Sequence, residues 1–531
     1  MEQLESKKKI AIMIAIMAAM LFAALNQTIV TTAMPRIVSE LDGMAYFSWI
    51  FTIFMLASTI AAVLSGKFSD MIGRKPLILI GIGVFMFGSF LAGVAGTILQ
   101  LIIYRGIQGI GAGMIMSTAF ASVGDLFAPR ERGRWQGLMG GVFGLASVFG
   151  PTLGGYIVDH MDWHWVFWVF LPIGVLAFVC IAWLFPAQEK KPKEPIDYWG
   201  ALLLSTCIIP LLLAFTWAGH TYAWYSPIII GLFAGAAASF ILFINVERKA
   251  ESPVLPLILF KNSSFTLSNL VGFMMGAGMF GAVMYMPWFV QGVIGTSATI
   301  SGYVMMPMTL SLVLASAVSG QLITKTGKYK ALALAGLLIM AVGMGLLMTM
   351  HAETTNEIAI IYMIVVGFGL GVSFPIFTLT VQNAAPQNSL GVATASSQLF
   401  RQLGGTIGVA LMGSMLNQRM NSGGNSMQAT LEQVGVDLSS QSSQVTNALQ
   451  SLQDPQVLMN PAQIESIQAA LPDELGSVMV ELLHQLRESL NYALNGVFII
   501  CVIVTAIAFL LTFGLREVPL RSSADGNKLT H

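Results

Sequence analysis

Runs of about 20 residues with almost no charge, the length a helix needs to cross the hydrocarbon core of a bilayer, recur along most of this chain. They fall near 10–34, 46–65, 77–95, 98–124, 135–158, 165–185, 199–217, 227–246, 265–290, 301–323, 331–350, 358–383, 394–416 and 491–515, which makes fourteen. With 55% hydrophobic and 10% charged residues over 531 positions, the chain carries more apolar surface than a soluble fold of this length buries, so lipid must serve as its solvent. The expectation is an all-α membrane protein. The first run, Ile10 to Val30, is too long for the apolar core of a signal peptide and no small-residue cleavage site follows it, so it reads as a retained first span.

Where the charges sit carries more than their sum. A formal net charge of +0 removes any electrostatic case for nucleic-acid binding. If the amino terminus is cytoplasmic, 21 of the 26 basic residues fall on the cytoplasmic side, including Lys7 to Lys9, Lys67, Arg74, Lys75, Arg130, Arg132 and Arg134. Three (Arg36, Arg419, Arg487) fall outside, and Arg105 and Arg401 lie within spans. This is the positive-inside bias, and it predicts a multi-pass protein of the cytoplasmic membrane with both termini inside. Cys180, Cys207 and Cys501 lie in apolar runs and read as small hydrophobes. No metal-ligand spacing, no phosphate-binding loop and no nucleophile–base–acid set occurs, so neither a cofactor nor an enzymatic function is expected.

The chain divides into residues 1–186 with six spans, 187–262 with linkers and two inserted spans, and 263–531 with six more. Gln188 to Asp197 is the charged, Pro-containing linker after the first six. An outside segment, 417–490, is acidic and rich in Ser, Gln and Asn, and is a candidate surface for binding another protein. Apolar positions from Ile464 to Leu486 recur there at helical spacing and predict an amphipathic helix leading into the last span. The two halves echo each other: Gly66, Gly73 and Arg74 follow the second span as Gly320, Gly327 and Lys328 follow the tenth, at identical spacing. Such repeats mark secondary transporters, whose substrate site lies between the halves.

Gly66-Lys67-Phe68-Ser69-Asp70-Met71-Ile72-Gly73-Arg74-Lys75 is, as bare chemistry, a basic turn at the membrane surface. It resembles the signature loop of the major facilitator superfamily, and the resemblance implies that Asp70 and Arg74 latch the cytoplasmic gate, with Asp125 as their partner at the end of the fourth span. Arg105, about seven residues inside that span, is an intramembrane cation and by default functional, the alternative being an Arg that snorkels to the interface. Arg105-Gly106-Ile107-Gln108-Gly109-Ile110-Gly111 is similar to the superfamily's second motif, which implies a role in proton coupling. Gly144, Gly150, Pro151, Gly154 and Gly155 in the fifth span resemble its antiporter motif; as chemistry they predict a bend and tight packing. Trp163 to Trp168 and Arg401 to Gly408 resemble signatures of the fourteen-helix drug:proton antiporters of the EmrB/QacA type.

One departure stands out. Where that family carries an acid in the first span, this chain has Asn26, followed by Gln27 and a run ending in Ala33-Met34-Pro35. No acid lies in the middle of any span, so no midplane proton carrier is visible. Asn26 and Arg105 lie at similar depth, and a contact is expected in which the Asn oxygen accepts from the guanidinium. The leading expectation is export of hydrophobic or amphipathic small molecules by proton antiport. The alternatives are a lipid-like molecule flippase or weakly coupled carrier of the same fold and, from another class, a non-transporting sensor or scaffold. Gln27, Phe280, Tyr285, Trp288, Met305 and Met306 are candidates for the cavity wall, aromatics and Met suiting an apolar site, although each fits a packing role as well.

Overall fold

A computed structural model describes residues 5–41, 47–186, 197–219, 222–296, 298–386, 389–433 and 476–517, with 457–458, 464 and 466–468 besides. The candidate loop between 434 and 475 lies almost wholly outside these residues. The described chain is helical: α1 Ser6–Glu40, α2 Phe47–Ile72, α3 Arg74–Ala92, α4 Ile98–Leu126, α5 Pro129–His160, a single turn α6 Trp165–Trp168, and α7 Leu171–Leu184. There follow α8 Tyr198–Trp217, α9 Pro227–Glu247, α10 Ser263–Trp288, α11 Ala298–Thr326, α12 Lys330–Met348, α13 Asn356–Ala384, α14 Leu390–Gln433 and α15 Gly476–Phe513.

Each expected span coincides with a helix, the sixth being divided between α6 and α7 where Pro172 opens the second piece. Among the described residues, twelve of the spans are long and apolar enough to cross a membrane by length and composition. The other two helices, α5 and α14, are rich in glycines, those of α5 meeting α11 and α1 and those of α14 meeting α2 and α10. The margins of the 417–490 segment differ from expectation: α14 runs on to Gln433, and α15 begins at Gly476, so the helix expected to precede the last span is continuous with it.

Without a hydrophobic force between helices in lipid, close packing depends on small residues. In α4, a Cβ on Gly109 would come 2.5 Å from the Phe54 carbonyl oxygen and one on Gly113 2.1 Å from that of Ser58, so α2 lies directly against this stripe. Gly111, turned to the other side, meets the α3 backbone at Phe85. The helix is thereby clamped between α2 and α3.

The sequence repeat has a structural counterpart. Gly73 (φ 96°) and Gly327 (φ 67°) both adopt the left-handed conformation and make the tight turns α2–α3 and α11–α12. Gly66 and Gly320 both permit contact between halves: Gly66 abuts Gly391 and Ala395 of α14, while Gly320 abuts Gly133 of α5. The α5–α11 contact continues through Gly137 against Ser316 to Gly144 against Thr309 and Val313. These contacts all start from the end of the bundle bearing Lys67, Arg74 and Arg132, hereafter the basic end.

Apolar clusters fill each half, and a further cluster joins Leu56 and Val63 of α2 with Leu204, Ile208 and Leu212 of α8, Phe243 of α9, and Val392 and Leu399 of α14. The inserted pair therefore seals one flank of the junction between halves. Trp183, Tyr198 and Trp199 at one end of this region and Tyr225 at the other are largely exposed, as side chains at a bilayer interface are. Gly113→Val should separate α2 from α4, a cost of about 1–3 kcal/mol for overpacking. The expected outcome is a lower melting temperature of the detergent-solubilised protein, whereas Gly83→Val, at a glycine whose added Cβ would meet nothing, should leave it in place.

Candidate functional site

Two buried polar clusters stand out, one at the basic end and one deeper in the amino-terminal half. At the basic end Asp70 closes α2, and the turn at Gly73 brings Arg74 back beside it. Arg74 Nη2 lies 2.5 Å from Asp70 Oδ1, and its Nε donates to Asp125 Oδ2 at 2.8 Å. Its Nη1 donates to Ser69 Oγ, whose hydroxyl donates to the Gly66 carbonyl. Asp70 also reaches the other half: Oδ1 and Oδ2 accept from the backbone N–H groups of Gly391 and Val392, each at 3.0 Å. Those are orphan donors at the first turn of α14, where a carboxylate is favoured by the helix dipole. Arg74 thus ties α2, α3 and α4 together while Asp70 pins them to α14.

A second polar bridge lies alongside. Gln136 of α5 donates to Gln382 Oε1 of α13 at 3.1 Å, and Gln382 Nε2 donates to the Phe120 carbonyl of α4 (3.3 Å) and to Thr394 Oγ1 of α14 (3.0 Å). Arg132 supports it by donating to the carbonyls of Gly124 and Phe127 at the end of α4. Sequence reasoning missed Gln136 and Gln382. Nothing in the local pattern distinguishes them from other amides near helix ends; only the meeting of the halves gives them partners.

The deeper cluster centres on Arg105, fully buried in α4. Its guanidinium lies over the Phe54 ring, 4.2 Å from the centroid, and Nη1 donates to Gln108 Oε1 at 2.5 Å. Gln108 Nε2 in turn donates to Asn26 Oδ1 (2.8 Å) and Ser89 Oγ (2.7 Å). The expected direct contact between Asn26 and Arg105 is therefore replaced by a relay through Gln108. The reason is donor inventory: a guanidinium only donates, so Gln108 turns its oxygen to Arg105, its amide hydrogens go onward, and Asn26 must present its oxygen. Asn26 Nδ2 and Arg105 Nε and Nη2 are left without hydrogen-bond partners among the described residues. No carboxylate joins the cluster, and the snorkelling alternative does not hold for a side chain with no exposed surface.

The antiporter-motif glycines lie in α5. Gly144 faces Thr309 and Val313 of α11, Gly150 faces Thr28 of α1, and Gly155 has open space beside it. Gly154 is buried, and Pro151 sits inside the helix. Of the candidate wall residues, Tyr285 is buried in the carboxy-terminal core and donates to the Val409 carbonyl at 3.0 Å; Trp288 and Met305 pack on the same core. Phe280 packs against Gly405, while Gln27 and Met306 are half-buried, with Gln27 Nε2 3.8 Å from Met55 Sδ. A cavity of about 150 Å³ lies elsewhere, among Thr52, Met55 and Thr59 of α2, Leu212 and Thr216 of α8, and Gln402 and Thr406 of α14. The Trp163–Trp168 signature packs the opposite end: Trp163 stacks on His164, and Trp168 Nε1 donates to the Phe90 carbonyl of α3.

Two pseudo-symmetric six-helix bundles, latched to each other at one end and holding polar clusters within the membrane-spanning region, define a membrane carrier of the two-half type. Residues 16–409 match the sequence profile of the Major Facilitator Superfamily, and the chain belongs to that superfamily. Over 522 residues it is 38% identical to the multidrug transporter protein MdtP of Bacillus subtilis, covering 97% of this chain and 94% of that one. It is 32% identical over 521 residues to multidrug resistance protein 3 of the same organism, covering 97% of each. Its fold resembles that of the proton:xylose symporter XylE, with a TM-score of 0.59 at 13% identity over 97% of this chain and 98% of that one.

Without the Asp70 carboxylate the N–H groups of Gly391 and Val392 lose their acceptors, at about 1–3 kcal/mol for each donor left buried and unsatisfied, while Arg74 keeps Asp125. Asp70→Ala should therefore loosen the basic end, and a cysteine introduced by Gln382→Cys in a background without Cys180, Cys207 and Cys501 should then react faster with a maleimide than it does beside native Asp70. Equal rates would remove Asp70 from the latch.

Proposed function

We propose that this protein exports hydrophobic or amphipathic small molecules across the cell membrane by proton antiport, through alternating exposure of a cavity between α1–α7 and α10–α15. The observation that carries the carrier mechanism is the latch. Asp70, Arg74 and Asp125 are held together by direct contacts within one half, Asp70 carries them across to the first turn of α14, and a contact made of discrete hydrogen bonds can be broken and remade as the halves rock. The names of the relatives, a multidrug transporter and a multidrug resistance protein, support the substrate class. In this reading Gly66 and Gly73 shape the gate, Arg105 and Asn26 belong to the coupling region, and the α5 motif at Gly144, Gly150, Pro151, Gly154 and Gly155 lets α5 move against α1 and α11.

The basic end is cytoplasmic in this proposal, all fourteen spans cross the bilayer, and the divisions fall at 1–186, 187–262 and 263–531. The positive-inside bias supports that orientation. A specific observation keeps a second reading of the same fold in view: the Asn26–Gln108–Arg105 relay contains no titratable acid, which favours weak proton coupling or a lipid-like substrate. The acidic segment 417–490 is then an outward surface available to another protein.

Two experiments test these proposals. Single cysteines placed in segment 434–475 should react with a membrane-impermeant maleimide in intact cells; labelling only after permeabilisation would overturn the orientation. In proteoliposomes, substrate movement driven by an imposed proton gradient should be abolished by an uncoupler. Asn26→Asp introduces a titratable group next to Gln108 and should steepen the dependence of transport on pH. Strong coupling in the native protein, unchanged by the substitution, would move the proton to Asp70 or Asp125, and no response to the gradient in either form would favour the uncoupled carrier.

A further inference from the structure

Arg401 on α14 takes part in neither the latch nor the relay. It lies eleven residues beyond Leu390, about 17 Å along the axis at 1.5 Å per residue, and so near mid-span. Its guanidinium stacks on the Phe374 ring of α13, 4.2 Å from the centroid. Phe374 itself packs against the core of the amino-terminal half, so cation and ring sit at the junction between halves. Among the described residues no carboxylate or carbonyl meets this guanidinium. One turn before it on the same face is Gln398, and Gln402 is the next residue along the helix. Gln398 is only 7% exposed and its Nε2 has no hydrogen-bond partner; Gln402 Oε1 is likewise unpartnered and lines the 150 Å³ cavity between α2, α8 and α14.

The buried, unpartnered Gln398 Nε2 carries a desolvation cost that a ligand would relieve, and beside it stands the half-buried Arg401 guanidinium. A cation and an amide N–H, three residues apart on one helix, present donors to a single negatively charged oxygen pair. We infer that Gln398 and Arg401 form an anion-recognition subsite at the junction between the halves, selecting amphiphiles that carry a carboxylate. Phe374 takes the flat apolar body beside the carboxylate, and the cavity flanked by Met55, Leu56 and Leu212 takes an adjoining apolar part. The free Gln402 oxygen accepts from a ligand hydroxyl. The charge inventory points the same way: Arg105 and Arg401 are both interior, and no acid occupies the middle of any span, so an organic cation meets repulsion where an anion meets attraction. The inference rests on the export reading only in regarding the junction between halves as the substrate cavity.

Binding, measured without transport, tests it. The full chain in lipid nanodiscs is titrated with 1-pyrenebutyrate and with its uncharged counterpart 1-pyrenebutyramide, following energy transfer from the protein's tryptophans and subtracting partition into empty nanodiscs. The carboxylate should bind at least about ten-fold tighter, the scale of one charge-assisted hydrogen bond. Arg401→Gln should bring the carboxylate-to-amide affinity ratio close to one, Arg401→Lys should keep part of it, and Gln398→Leu should lower it a few-fold. Equal native affinities, or a ratio untouched by Arg401→Gln, would overturn the inference. Should the Arg401 variants fail to fold, the native ratio and Gln398→Leu decide alone. A failed antiport assay leaves this result standing, because no gradient is involved.

Discussion

Arg74 is the point on which the closed end of this molecule depends. A guanidinium taken out of water is tolerated only where acceptors surround it, and here two carboxylates, a hydroxyl and the geometry of the Gly73 turn supply them. Because Asp70 divides its lone pairs between Arg74 and the first turn of α14, the charge network within one half is also the bond between halves. The network is asymmetric. The sequence repeat puts Gly320, Gly327 and Lys328 in the matching places, yet Thr324 stands where Asp70 stands in the first half. The second half keeps the close glycine contact of Gly320 on Gly133 and lacks the acid, so this end is zipped by charge on one side and by backbone packing on the other.

Glycine sets the rest of the geometry. In α4, Gly109 and Gly113 let α2 approach and Gly111 lets α3 approach, and that clamp fixes the rotation which turns Arg105 and Gln108 inward together. An apolar stripe would not do this in lipid, where side chains gain nothing by leaving the solvent. The same argument fits α5 and α14, which pack through glycines on helices of both halves, α5 on α11 and α1, α14 on α2 and α10, with backbone contacts in place of leucines.

The interior is electropositive. Arg105 is quieted by an amide relay and an aromatic face, Arg401 by an aromatic face, and among the described residues neither has a carboxylate beside it. The absence of an acid at Asn26 thus bears on two properties together, how protons are coupled and which charge of substrate the cavity tolerates. Both follow from the same low-dielectric environment, in which an uncompensated charge acts over a long distance.

The all-helical membrane class and the repeat could be read from the chain, because the bilayer imposes a length on each helix and backbone turns demand glycine at particular places. Asp70, Arg74 and Asp125 are singled out by resemblance to the superfamily's signature loop, and Arg105 as an intramembrane cation. Local logic failed where partners come from distant segments. Gln108 standing between Asn26 and Arg105, Gln382 joining α4, α5 and α14, and α8 walling the cavity all arise from packing of elements far apart in sequence. Tyr285 gave the same signal as a cavity aromatic and is bonded into the core. A helix face in a membrane protein can look toward lipid, a neighbouring helix or the cavity with the same residues on it. Composition cannot separate these, and only the rotation set by the glycine contacts decides among them.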